Sequence, residues 1–102
     1  MKAAKPILSE RLLTKYTTLA SALAKNGALA ALQAEEFSKA AELAGAALEL
    51  GDDAKARYRR GLAFEKLGEA GKAAEDYAEA MRLAPKDAQV RAAVVRLTPR
   101  VG

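Results

Sequence analysis

Apolar residues in the first third of the chain recur at the spacing of one face of an α-helix. This stripe consists of Leu12, Tyr16, Leu19 and Leu23. Ser9, shortly after Pro6, suits a helix N-cap, and the pattern continues to about Gln33. If residues 9–33 form one helix, it is about 37 Å long at 1.5 Å per residue. The alternative is a bend near Thr17-Thr18, with residues 7–16 folded back as a makeshift cap.

Capping and helix-breaking residues divide the rest of the chain into four shorter helices. We predict them over about residues 35–50, 54–67, 70–83 and 88–97. We expect Asp52 or Asp53 to cap the third helix and Asp87 to cap the fifth. The second helix should end at Gly51 in a left-handed conformation, the third at Gly68, the fourth at Ala84-Pro85 and the fifth at Thr98-Pro99. Glu35-Glu36 suits the first turn of the second helix, since the helix dipole favours acids there. No segment alternates with period two, so the pattern predicts an all-α antiparallel helical array.

Composition supports this fold and removes most catalytic chemistry. The 102 residues form one small domain and include 26 alanines and 14 leucines, both strong helix formers. Cys and His are absent, which excludes disulfides, Cys/His metal sites and His-based catalysis. The adjacent acidic pairs are Glu35-Glu36, Asp52-Asp53 and Glu75-Asp76, and we interpret them as capping and surface groups. The sequence therefore predicts no enzyme, no cofactor and no metal site.

Charge gives a weaker indication. The formal net charge of +4 favours an acidic partner but is small for a nucleic-acid binder, so nucleic acid is an unlikely ligand. The N-terminus does not resemble a secretory signal, and no stretch approaches the roughly 18 apolar residues of a membrane span. We expect a cytoplasmic protein with no membrane contact.

A 34-residue unit over residues 54–87 resembles a tetratricopeptide repeat (TPR). The matching positions are Gly61, Phe64, Gly68, Ala73, Tyr77, Ala80 and Pro85. Small residues at these positions let two antiparallel helices pack closely, with Phe64 and Tyr77 between them. Arg57 and Arg60 depart from the family pattern, which usually has bulky apolar residues there. A degenerate copy precedes the unit over residues 21–53, and residues 88–97 resemble the capping helix of such arrays. Residues 1–20 then form an N-terminal helical extension.

The resemblance extends to the TPR domains of heat-shock co-chaperones. Those domains bind the acidic C-terminal peptide of a chaperone in a concave groove, through a two-carboxylate clamp. By register, Asn26, Lys55 and Arg59 match clamp positions, and Leu29, Leu62 and Lys66 line the floor. Lys55 and Arg59 are four residues apart and share one helix face. Both side chains are expected to lie in the groove, so that replacing them leaves folding unchanged.

Two other interpretations remain open. The clamp also needs a Lys and an Asn from a first repeat that is not recognisable here, with Lys15 as a possible substitute. The basic cluster could therefore be a solvated helix start, in a structural or oligomerisation module with a vestigial clamp. The uncovered N-terminal stripe predicts self-association of the isolated chain as a homodimer.

Overall fold

Five α-helices form the part of the chain that the computed structural model describes, residues 9–97. They are α1 (Glu10–Gln33), α2 (Phe37–Leu50), α3 (Ala54–Lys66), α4 (Ala70–Leu83) and α5 (Ala88–Leu97). The all-α prediction is confirmed, with helix boundaries close to those expected. Pro6 and the predicted stop at Thr98-Pro99 lie outside the described residues.

The first helix is continuous. The Ser9 side chain accepts a hydrogen bond from the backbone amide of Leu12, as predicted for the N-cap. The hydroxyl of Thr17 donates to the carbonyl of Leu13 at 2.9 Å within the helix. The predicted alternative, in which a bend at Thr17-Thr18 folds the preceding residues back, is therefore wrong over residues 10–16, which belong to the same continuous helix. The boundary drawn between residues 20 and 21 lies inside this helix.

Capping carboxylates fix the starts of α3 and α5. Asp53 accepts a hydrogen bond from the amide of Ala56 at 2.9 Å, and Asp87 accepts one from Gln89 at 2.9 Å, both as predicted. The start of α2 differs, because Glu36 occupies the N-cap position without a side-chain capping bond. Gly51 also differs from expectation, since its backbone is extended (φ 159°, ψ 148°) rather than left-handed helical.

The ends of α1 and α3 share one hydrogen-bonded motif. After α3, the amide of Gly68 donates to the Glu65 carbonyl and that of Glu69 donates to the Phe64 carbonyl. This is a Schellman motif, and Gly68 has the positive φ of 81° that it requires. The equivalent bonds follow α1, but there Glu35 occupies the positive-φ position, at 60°.

Glu35→Gly is accordingly expected to stabilise the protein by about 0.5–1 kcal/mol. Left-handed conformation costs an L-residue about 1–2 kcal/mol, part of which the extra unfolded-state freedom of Gly offsets. Denaturant unfolding measures the gain. The control is Glu36→Gly, whose φ of −95° needs no glycine; an equal gain there would contradict the assignment of strain to Glu35.

The helices pack as two hairpins in two layers. The hairpins are α1–α2 and α3–α4; α2 packs against α3, and α1 packs directly against α3. The buried apolar positions are mostly alanines, which let the helix backbones approach closely. Among the described residues Tyr77 is the largest fully buried side chain, and the centroid of its ring lies 5.8 Å from that of Tyr58 on α3. Helix α5 packs on α4, and its Ala93 belongs to the same buried cluster as Ala73 and Tyr77.

Candidate functional site

Four of the predicted site residues form one stripe along α3. They are Lys55, Arg59, Leu62 and Lys66, at helical spacings of four, three and four. Lys55 and Lys66 are exposed, and among residues 9–97 neither makes an ion pair within 4 Å. The opposite side of the helix carries Arg57 and Arg60, which are engaged with α4. The stripe therefore presents unpaired positive charge on the α1–α3 layer.

Arg59 joins this stripe to α1. Its Nη1 donates a hydrogen bond of 2.7 Å to the backbone carbonyl of Lys25, the residue before Asn26. Partial burial lowers the pKa of Arg59, although the Asp53 carboxylate acts in the opposite direction; a guanidinium stays charged at neutral pH. This bond argues against the expectation that replacing Arg59 leaves folding unchanged. The side chain is half-buried and ties two helices together.

Asp53 brings an acidic group to the same cluster. Its Oδ2 accepts a hydrogen bond of 2.8 Å from Lys25 Nζ, while its other oxygen caps α3. Partial burial raises the pKa of Asp53, but the bonds from Lys25 and Ala56 outweigh that effect and lower it. Lys25 is thus neutralised by a fixed partner. Lys55 and Arg59, in contrast, make no ion pair within 4 Å in the described part of the chain.

The remaining predicted residues lie on both sides of this cluster. Asn26 is exposed on α1, and Leu29 follows it one turn later with 38% of its surface exposed. Leu62 is half-buried and packs against the cluster around Tyr77. Lys15 precedes Asn26 by eleven residues, which is about 16 Å along α1. The structure thus brings Asn26, Lys55 and Arg59 to adjoining helices and leaves Lys15 apart.

A buried ionic cluster lies on the other side of α3, and the sequence reasoning missed it. Asp76 is 2% exposed, so its interpretation as a surface group is wrong. Its carboxylate accepts from Arg57 Nη1 at 3.0 Å and from Arg60 Nε and Nη2 at 2.8 and 2.9 Å. Arg57 also donates to Asp52 at 2.9 Å, and that hydrogen bond lowers the pKa of Asp52.

The sequence held a signal for this cluster. The corresponding position in the first hairpin, 33 residues earlier, is Leu43, whose side chain packs over Gly27. Arg57 and Arg60 replace bulky apolar residues of the repeat pattern, and Asp76 replaces this leucine. An acid and two bases at three positions that face each other across a helix pair indicate a buried ion pair.

A second polar link fixes α5. Glu65 accepts 2.7 Å hydrogen bonds from the Tyr77 hydroxyl and from Arg96 Nη2, which joins α3, α4 and α5. The bond from Arg96 lowers the pKa of Glu65, and burial raises that of Tyr77. This cluster stabilises the packing of the three helices, and the charges of Glu65 and Arg96 are paired with each other.

Within residues 9–97 there is no group of three or more acidic side chains that could hold a metal ion. No helix in that range is long and apolar enough to cross a membrane.

Comparison with known proteins agrees with the hairpin architecture. No known family model matches the sequence. Among solved structures, the chain is similar to the C-terminal TPR-containing domain of an FK506-binding protein from Plasmodium falciparum, with a TM-score of 0.81 and 22% identity. The match covers 91% of this chain and 62% of that one. The protein has the TPR fold.

In TPR terms, α1–α2 and α3–α4 are two repeats and α5 is the capping helix. The structural markers keep one register, because Ala28, Glu35, Ala40 and Ala47 of the first repeat precede Gly61, Gly68, Ala73 and Ala80 of the second by 33 residues each. The chain spans 62% of the length of the TPR domain that it resembles. Fold and register are thereby assigned, and the similarity carries no information on the ligand.

Proposed function

We propose that this TPR chain is a cytoplasmic protein–protein interaction module that binds the acidic C-terminal peptide of a heat-shock chaperone. The observation that carries the proposal is the 2.7 Å bond from Arg59 to the Lys25 carbonyl. It holds a guanidinium of α3 against the backbone of α1 next to Asn26. Lys55 lies one turn before Arg59, so the three residues of clamp type lie on two helices that pack against each other, α1 and α3.

Each of these side chains has a distinct chemical role. The ammonium of Lys55 supplies three donors and a compact positive charge to a carboxylate. Arg59 has five N–H donors, and one of them donates to the Lys25 carbonyl. The remaining N–H groups can donate to a second carboxylate oxygen. The uncharged amide of Asn26 donates to a peptide carbonyl or terminus. Together they favour a ligand with two carboxylates close together, such as a C-terminal acidic residue.

The stripe on α3 also sets the length of the bound segment. Lys55 and Lys66 are eleven residues apart, about 16 Å along the helix, which an extended peptide covers with about five residues. Leu29 and Leu62 offer apolar contact area between the two lysines. A short peptide that is acidic at its C-terminus and carries one apolar side chain fits this surface.

Affinity should be modest because the donors of a further repeat are missing from the cluster. Lys15 is about 16 Å from Asn26 along α1 and does not complete the clamp. Binding by a few charge-assisted bonds should weaken moderately with added salt. A polyphosphate ligand would instead give a steep log–log salt slope.

Lys55→Ala is expected to weaken peptide binding by about 1.5–3 kcal/mol, since it removes one partner of a charge-assisted bond. Calorimetric titration with an acidic C-terminal peptide measures the loss. Lys55 is exposed and unpaired among the described residues, so the thermal unfolding of the Lys55→Ala variant should match that of the parent. Arg59→Ala should weaken binding equally and also lower stability, because the bond to Lys25 is lost.

Lys39→Ala is the matched control. Lys39 is an exposed lysine on α2, in the other layer, and its replacement removes the same charge. It should leave affinity unchanged. Equal affinity of the parent and of the Lys55→Ala and Arg59→Ala variants would show that the clamp hypothesis is wrong.

A further inference from the structure

The N-terminal half of α1 carries an uncovered apolar seam. It consists of Leu12, Tyr16, Leu19 and Leu23, which are 46%, 63%, 58% and 63% exposed. The neighbouring Thr17, Thr18 and Ser21 lie on the opposite side, next to Leu50 and Gly51 at the end of α2. Four large apolar side chains at one helical spacing form a strip that another helix can cover.

The spacing of the seam is the same in both directions. The gaps of four, three and four residues form a palindrome centred between residues 17 and 18. When two copies of α1 lie antiparallel about this centre, Leu12 is level with Leu23 of the other copy and Tyr16 is level with its Leu19. All eight seam side chains, four from each copy, then lie in the contact. A two-fold axis relates the two copies, as an isologous dimer requires.

Charge selects the same orientation. Residues 16–24 carry no ionisable acid or base other than the Tyr16 hydroxyl, and the charged residues that flank them are Glu10, Arg11 and Lys15 on one side and Lys25 on the other. A parallel pair would place Arg11 beside Arg11 and Lys15 beside Lys15. The antiparallel pair separates the two Arg11 side chains by thirteen residues, about 20 Å, and the two Lys15 side chains by five residues, about 7.5 Å. It places Glu10 level with Lys25 of the other copy and Arg11 level with Ala24. Ala20 and Ala22 flank the seam, and their small side chains let the two backbones approach.

We infer that the protein forms an antiparallel homodimer through this seam of α1. The seam adjoins the proposed peptide site at one end, because Asn26 follows Leu23 by three residues on the same face of α1, whereas Lys55 and Arg59 lie on α3. An interface built on one helix belongs to the small class of specific interfaces, below about 1,200 Å² in total. The dimer is therefore reversible, and its population rises with protein concentration across the micromolar range.

Sedimentation equilibrium over a series of concentrations tests the association. The parent should move from a mass of 10.8 kDa towards twice that value. Leu19→Glu combined with Leu23→Glu should keep the 10.8 kDa mass and the parent's helical content, because both side chains are exposed. Val95→Glu, at a 74% exposed apolar residue of α5, should dimerise like the parent.

Disulfide trapping tests the orientation of the two helices. Because the sequence contains no cysteine, only the introduced cysteines can form disulfides. Leu12→Cys and Leu23→Cys chains are mixed and oxidised. The antiparallel register predicts that the mixed disulfide dominates, since like positions lie about 16 Å apart, beyond disulfide reach. A parent that stays monomeric throughout, a dimer that survives the double glutamate change, or a majority of self-disulfides would each overturn the proposal.

Discussion

Asp76→Ala should be among the most damaging single substitutions, costing about 3–5 kcal/mol of unfolding free energy. It removes the shared acceptor of Arg57 and Arg60 and leaves their charges without a buried partner. Both arginine side chains keep about a quarter of their surface exposed, 25% and 26%, so water recovers part of the loss. We therefore expect a value at the lower end of that range, measured by urea denaturation.

The control restores the chemistry of the first repeat. Arg57→Ala and Arg60→Ala combined with Asp76→Leu make this cluster resemble Ala24, Gly27 and Leu43 of the first repeat. Replacing a buried ionic cluster by apolar groups is often neutral or stabilising. The triple variant should therefore be more stable than Asp76→Ala alone. If Asp76→Ala unfolds like the parent, Asp76 does not hold the second repeat together.

Tyr77→Ala should cost a similar amount, about 3–5 kcal/mol, because it removes the largest fully buried side chain among residues 9–97. Tyr77→Phe removes only the hydroxyl that donates to Glu65 at 2.7 Å, and should cost about 1 kcal/mol. Thermal and denaturant unfolding of both variants separates the ring's contribution from that of the hydrogen bond.

A substitution at Gly61 tests more strictly how closely the Tyr77 ring packs against α3. A Cβ at Gly61 would lie 2.6 Å from Cε1 of the Tyr77 ring, so Gly61→Ala should destabilise by about 1–3 kcal/mol. In the double variant with Tyr77→Ala, the added methyl has no ring to clash with. The double change should therefore cost less than the sum of the single changes. Strict additivity would contradict the close packing of α3 on α4.

Much of this fold could be predicted from the sequence because its signals are local. Ser9, Asp53 and Asp87 lie where caps are needed, and the spacing of small residues marks the helix pairs. The prediction of Glu35 in the first turn of the second helix was wrong, because Glu35 adopts a left-handed conformation that is unfavourable for glutamate and that the Schellman bonds hold in place.

The site was predictable in part, for a related reason. Register placed Asn26, Lys55 and Arg59 on adjoining helices, but it said nothing of how each side chain is engaged. The bond from Arg59 to Lys25 and the capture of Lys25 by Asp53 are contacts over 34 and 28 residues. Asp76 was misassigned because an acid beside Glu75 looks solvated until two arginines of another helix are packed against it.

The most direct test of the proposed function compares two forms of one acidic peptide, one with a free C-terminal carboxylate and one amidated. Both are titrated into the protein under identical salt. The clamp predicts that the free carboxylate form binds at least about tenfold more tightly, the equivalent of one charge-assisted bond at about 1.4 kcal/mol per tenfold. Equal affinity for the two peptides would contradict carboxylate recognition by Lys55 and Arg59.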